Sequence, residues 1–206
     1  MGPRIPDSSA LRFDLPGLRQ RLAGRGQPEF TLFGDDGTEG REFASTAAAV
    51  LIPVIAHPGD LTVLFTQRTT HLKSHAGQVS FPGGRAEPGD ASAEFTALRE
   101  AEEEIGLPAA RVEILARLSD YRTRTGYRVT PVVGLIEPPL ELAPDPREVA
   151  EVFEVPLAFL LDPRNRQRRT RQFQGQEVGY YVFEYQARVI WGATAGMLVN
   201  LYRMLE

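Results

Sequence analysis

The sequence predicts an α+β protein built on a mixed β-sheet, on three observations. Two β-rich runs, residues 47–55 and 61–65, follow one another with only a turn between them. One amphipathic helix, residues 90–106, comes next, and further strand-like runs follow it without the strand–helix alternation of a doubly wound sheet. An apolar helix over residues 193–205 closes the chain. With 206 residues, 42% hydrophobic and 24% charged, the chain can fill one core but not two, so a single domain over residues 41–206 is expected, preceded by an N-terminal extension, residues 1–40.

Each element has a local reason. Residues 1–12 are polar, and Leu15, Leu18 and Leu22 with Pro16 near the start make a short helix pattern in the extension. Residues 34–40, rich in Gly and Asp, read as a linker. The runs at 47–55 and 61–65 flank His57-Pro58-Gly59-Asp60, a hairpin turn by composition. Residues 69–78 are polar and loop-like, and a short strand at 79–81 stops at Pro82. A Gly83-Gly84 turn then leads into the helix, which Asp90 is suited to cap at its start and Gly106 at its end. Beyond it, strands are expected at 112–118 and 129–136, joined by a polar tip at 122–126, and again at 148–155. A helical turn at 157–161, two strands flanking 174–176 and the terminal helix complete the chain, which carries no internal repeat.

The central helix carries the chemistry. At about 100° per residue, Ala97, Leu98, Ala101 and Ile105 share one side, while Glu100, Glu103 and Glu104 share another. Like charges at i, i+3 and i+4 weaken an isolated helix by a few tenths of a kcal/mol per pair (~0.2–0.5), so a positive partner is expected there. A hard divalent cation such as magnesium answers that need, since it prefers oxygen ligands and brings phosphates with it. The bland alternative is a solvated helix face. Composition narrows the rest: a net charge of −4 with a pI near 5.5 gives no general pull toward nucleic acid or an anionic membrane. The absence of cysteine removes disulfides, thiolate metal sites and cysteine nucleophiles. Without an apolar run long enough to span a bilayer or a signal-peptide core over residues 1–9, a cytoplasmic protein is expected.

The segment Arg99-Glu100-Ala101-Glu102-Glu103-Glu104-Ile105-Gly106-Leu107 resembles the second half of the Nudix hydrolase signature and matches it fully. The first half departs from it. Counted from Gly84, the position of the first signature Glu falls on Asp90, and Arg99 then arrives one residue late; counted back from Arg99, that position is Ala91, so the loop carries one extra residue and a shorter acid. Upstream, Leu64-Phe65-Thr66-Gln67-Arg68-Thr69, then Lys73, Gly77 and Phe81-Pro82-Gly83-Gly84, is similar to the additional motif of the coenzyme A pyrophosphatase branch, which carries Arg where this chain has Lys73. That branch also has the lengthened spacing before the arginine.

The resemblance implies a Nudix fold, an α/β/α sandwich around a mixed sheet, and hydrolysis of the pyrophosphate of coenzyme A and its derivatives with Mg2+ or Mn2+. The same fold serves other nucleoside diphosphate compounds, such as ADP-ribose or a dinucleotide, and a non-catalytic Nudix-like binding domain is an alternative of another class. The partner expected is a small nucleotide substrate, with neither nucleic acid nor membrane. Glu100, Glu104 and Glu103 are the expected metal ligands, and Arg99 is placed to hold Glu103. Gly83 and Gly84 permit close approach to metal or phosphate, and Arg68 and Lys73, with His71 and His75 nearby, offer positive charge to an anionic substrate. For the general base, Glu103 competes with Glu148 and Glu151. The basic stretch Arg164-Asn165-Arg166-Gln167-Arg168-Arg169-Thr170-Arg171 is either a solvated loop and strand or a contact for a 3′-phosphate, and Trp191 and Phe183 are candidates to stack on a base, or core.

Overall fold

The computed structural model of the chain describes residues 13–23, 34, 46–72, 75–173 and 175–206. The expected polar start, most of the linker and Lys73 lie outside these residues. At the centre of a mixed sheet, β1 (Thr46–His57) lies between β2 (Asp60–Arg68) and β7 (Tyr127–Ile136). β1 and β2 form the antiparallel hairpin that the Pro58-Gly59 turn predicts, with His57 opposite Asp60. β1 runs parallel to β7, from Thr46 opposite Tyr127 to Ile55 opposite Ile136. A parallel pair needs a long crossover, and the connection here contains α2 (Ala93–Ile105).

The remaining strands extend the sheet in antiparallel fashion. β3 (Val79–Ser80) and β8 (Val149–Pro156) pair with β2, while β5 (Val112–Arg117) and β6 (Tyr121–Arg122) pair with β7. The glycine-rich stretch expected as a turn is instead a strand, β4 (Gly83–Arg85), with Gly84 opposite Ala49 and Gly83 opposite Val50. A Cβ on Gly83 would stand 2.4 Å from the Ala49 carbonyl oxygen, so only glycine lets the two backbones approach this closely.

Side chains on β1 alternate between two faces, as a strand requires. Ala49, Leu51 and Ile55 pack with Ala97, Ala101 and Ile105 of α2. Ile52 and Val54 belong to the opposite cluster, with Leu198, Leu201 and Leu205 of α4 (Ala193–Leu205) and with Leu18 and Leu22 of α1 (Leu15–Ala23). Helices on both faces of a mixed sheet make the α/β/α sandwich. After α3 (Leu157–Leu160), a second, antiparallel sheet is formed by β9 (Arg166–Phe173), β10 (Gln176–Tyr185) and β11 (Arg188–Trp191). β11 has no counterpart among the expected elements, because four residues beside a helix carry little periodic signal. No helix among the described residues is long and apolar enough to cross a membrane.

α2 starts later than the sequence suggested. Ser92, not Asp90, is its N-cap, its hydroxyl accepting from the Phe95 N–H at 3.2 Å. Gly106 ends the helix in the left-handed conformation, φ 67°, donating to the Glu102 carbonyl at 2.9 Å.

Candidate active site

Asp90 is free of the cap because it holds Arg99. The guanidinium donates through Nε to Asp90 Oδ1 at 3.2 Å and through Nη2 to Oδ2 at 3.1 Å. The same group donates to the Arg85 carbonyl at 3.1 Å and to Glu103 Oε2 at 3.0 Å, and lies 3.0 Å from Glu100 Oε1. Arg99 thus ties α2 to β4 and to the loop between them. Asp90 also accepts from the Glu87 N–H at 2.9 Å and the Thr96 hydroxyl at 2.8 Å. The Arg99 bonds above all, then these others, hold the Asp90 carboxyl down at about 2.

Glu100 and Glu104 face the opposite situation. Burial raises Glu100, and it pushes Glu104 up to about 7 against the lowering pull of Arg68 and the Gly83 N–H. The Gly83 N–H donates to Glu104 Oε2 at 3.3 Å, and Arg68 Nη1 lies 3.5 Å from Glu104 Oε1. Arg68 stands at the end of β2, where the β2–β8 register shifts between Gln67 and Arg68. Its Nη2 lies 3.8 Å from Glu148 Oε2, and the Glu148 charge raises both Glu100 and Glu104. Glu148 arrives on a strap over the end of α2, where the Ala143 and Asp145 N–H groups donate to the Ile105 and Glu104 carbonyls, each at 2.9 Å. Gly84 makes room for Glu100: a Cβ there would stand 2.5 Å from its carboxylate.

Beside Gly83 and Arg68 opens a cleft of about 590 Å³ that reaches across to the second sheet, where Arg124, Arg171, Phe173 and Trp191 line it. Among the described residues no carboxylate lines this cleft. Trp191 is therefore at the cleft, while Phe183 is 1% exposed and belongs to the core. Glu151 is not gathered with the other glutamates: it is ion-paired with Arg188, whose guanidinium stacks over Phe153 at 4.4 Å. Glu103 is held by Arg99 at the exposed edge of the helix, its side chain 61% exposed. The basic stretch divides: Arg164 is paired with Asp162 at 2.6 Å, Arg169 with Glu184 at 2.6 Å, and Arg166 lies over Tyr202 at 5.0 Å. Of the stretch, Arg171 is the arginine at the cleft.

Comparison with known proteins decides the family. A model of the NUDIX domain matches residues 45–175. A protein of Photorhabdus laumondii subsp. laumondii named as an uncharacterized Nudix hydrolase, NudL, is 45% identical over 159 residues, 77% of this chain and 84% of that protein. A protein of the same name from Yersinia pestis is 42% identical over 171 residues, 82% of this chain and 85% of its own length. The chain belongs to the Nudix family. A solved structure of a MutT/nudix family protein from Enterococcus faecalis superposes with a TM-score of 0.48 at 17% identity, over 78% of this chain and 61% of that one.

Nudix hydrolases generally need divalent metal ions, and the donors of this Nudix helix fit one. Every acidic group at the site offers carboxylate oxygen, the donor that hard cations take. Burial raises Glu100 and Glu104, with Glu148 adding to it, and outweighs the lowering pull of Arg99 and Arg68, so a further positive charge would favour their ionised forms. Among the described residues no group of three or more His, Asp or Glu side chains is gathered closely enough to hold a metal ion; guanidinium groups occupy the carboxylates instead. Sequence reasoning missed the clamp of Asp90 on Arg99, although Asp90 fell at the first acidic position of the Nudix signature counted from Gly84. It also missed Arg124, whose position beside the cleft depends on the pairing of β6 with β7.

Proposed function

We propose that this chain hydrolyses the pyrophosphate bond of coenzyme A and its derivatives, releasing 3′,5′-ADP and 4′-phosphopantetheine, with Mg2+ or Mn2+ held by Glu100, Glu104 and Glu103. The observation that carries this reading is the junction at Gly83 and Arg68, where the buried Glu104 meets a cationic, aromatic cleft. Such a cleft suits a long nucleotide with several phosphates, and the upstream motif from Leu64 to Gly84 favours coenzyme A among them.

A divalent cation bound at these oxygens would neutralise diphosphate charge and lower the pKa of an attacking water. The chain's own residues do the rest. Arg68, on the border between glutamates and cleft, binds a diphosphate oxygen, and Lys73 adds a second positive charge. Gly83 and Gly84 leave the backbone open to the diphosphate. Glu148, within electrostatic reach of Glu100 and Glu104, takes the water proton in preference to Glu151, which Arg188 engages. The water oxygen bonds to one phosphorus, the bridging P–O bond breaks, and the departing phosphate keeps the electron pair. Arg99 is a positioning residue for Glu100 and Glu103.

Coenzyme A, ADP-ribose and a dinucleoside polyphosphate, assayed at matched concentration, test the reading. Coenzyme A should give the highest kcat/KM, and Glu104→Gln should lower kcat about a hundredfold or more while leaving Tm near that of the wild type. A preference for ADP-ribose would overturn the substrate; unchanged turnover in Glu104→Gln would remove the site. A wild-type protein that turns over none of the three would be a binding domain.

A further inference from the structure

The far wall of the cleft carries two guanidinium groups on one ring. Arg124 lies 5.1 Å and Arg171 5.6 Å from the centroid of Phe173, and Arg171 also lies 5.3 Å from Trp191 and 5.8 Å from Tyr180. Aromatic faces hold a guanidinium through its π surface and use none of its N–H donors, which point outward in the plane. Among the described residues the Arg171 guanidinium has no carboxylate partner, unlike Arg164 and Arg169 of the same stretch. Arg124 and Arg171 thus bring two positive charges to one ring on the cleft wall. A phosphate dianion in the cleft would take the free fork of Arg171 bidentately.

We propose that Arg171, with Arg124 beside it, is a specificity-determining residue that binds a phosphomonoester on the nucleoside half of the substrate, apart from the diphosphate that is cleaved. The inference rests on the reading that the diphosphate lies at Gly83 and Glu104. Arg171 and Phe173 stand on β9, in a different sheet from Arg68 and Gly83, so the cleft joins two anion-binding regions carried by separate parts of the fold. A substrate with only a diphosphate engages the first; one with an additional terminal phosphate engages both. Arg171 is exposed on an edge strand, so its replacement removes no core contact.

Calorimetric titration with 3′,5′-ADP and with 5′-AMP tests the phosphomonoester site without turnover. The wild type should bind 3′,5′-ADP about tenfold or more tightly than 5′-AMP, Arg171→Ala should bring the two affinities within about twofold, and Arg171→Lys should fall between them. Equal affinities in the wild type, or a preference unchanged in Arg171→Ala, would overturn the proposal. Kinetics form a separate arm: kcat/KM of Arg171→Ala should fall for coenzyme A and stay near wild type for 3′-dephospho-coenzyme A, and equal losses on both would also overturn it. Failure of the wild type to cleave either compound while it cleaves ADP-ribose would instead count against the substrate proposed above, and the titration would still decide the role of Arg171.

Discussion

Asp90 and Glu104 are carboxylates of the same site driven in opposite directions. Asp90 is held down at about 2 by the hydrogen bonds of Arg99, and Glu104 is pushed up to about 7 by burial. The native pKa of Asp90 lies below the ordinary 3.8, so its contribution to stability is present above that value and is lost as the pH falls toward 2. Asp90→Asn should therefore flatten this acid limb of the urea-midpoint curve, measured between about pH 2 and 5. A limb as steep as that of the wild type would assign acid sensitivity to other carboxylates. Arg99 was legible in the sequence as a partner of Glu103 because the two are one helical turn apart. Its bond to Asp90 was not, since the loop that turns Asp90 back onto α2 has no periodicity to read.

At the level of elements, β4 shows two glycines with different duties. A Cβ on Gly83 would meet backbone, the Ala49 carbonyl oxygen at 2.4 Å, whereas one on Gly84 would meet the Glu100 carboxylate at 2.5 Å, which can swing away. Gly83→Ala should thus destabilise the fold by about 2–4 kcal/mol in urea denaturation. Mg2+ is expected to raise the Tm of the wild type, and Gly84→Ala should keep most of its stability but lose that rise, because Glu100 is displaced. The opposite pattern would mean that β4 does not set the position of Glu100. The sequence marked Gly83-Gly84 as a close approach and misread it as a turn; composition alone does not distinguish a glycine turn from a glycine strand pressed against a neighbour.

For the whole molecule, the short helix of the N-terminal extension shares the core of the main sheet. Leu18 and Leu22 are buried with Leu198 and Leu205 of α4, and Arg21 donates to the Leu205 carbonyl at 2.9 Å. Leu18→Ala should cost about 2–4 kcal/mol in urea denaturation, as for any buried leucine, and a loss below about 0.5 kcal/mol would show that α1 is peripheral. The Leu15, Leu18, Leu22 pattern announced this helix but not its partner. The same division runs through the molecule. The sequence by itself determined the family, the Arg99–Leu107 motif, the β1–β2 hairpin and the ends of the terminal helix, because these depend on short-range spacing and turn chemistry. Only the tertiary structure decided that β1 runs parallel to β7, that Glu148 rather than Glu151 adjoins Glu104, and that Arg124 and Arg171 share one cleft wall. Each of these depends on pairing between residues far apart in the chain, which burial of the common core selects and which no local pattern encodes.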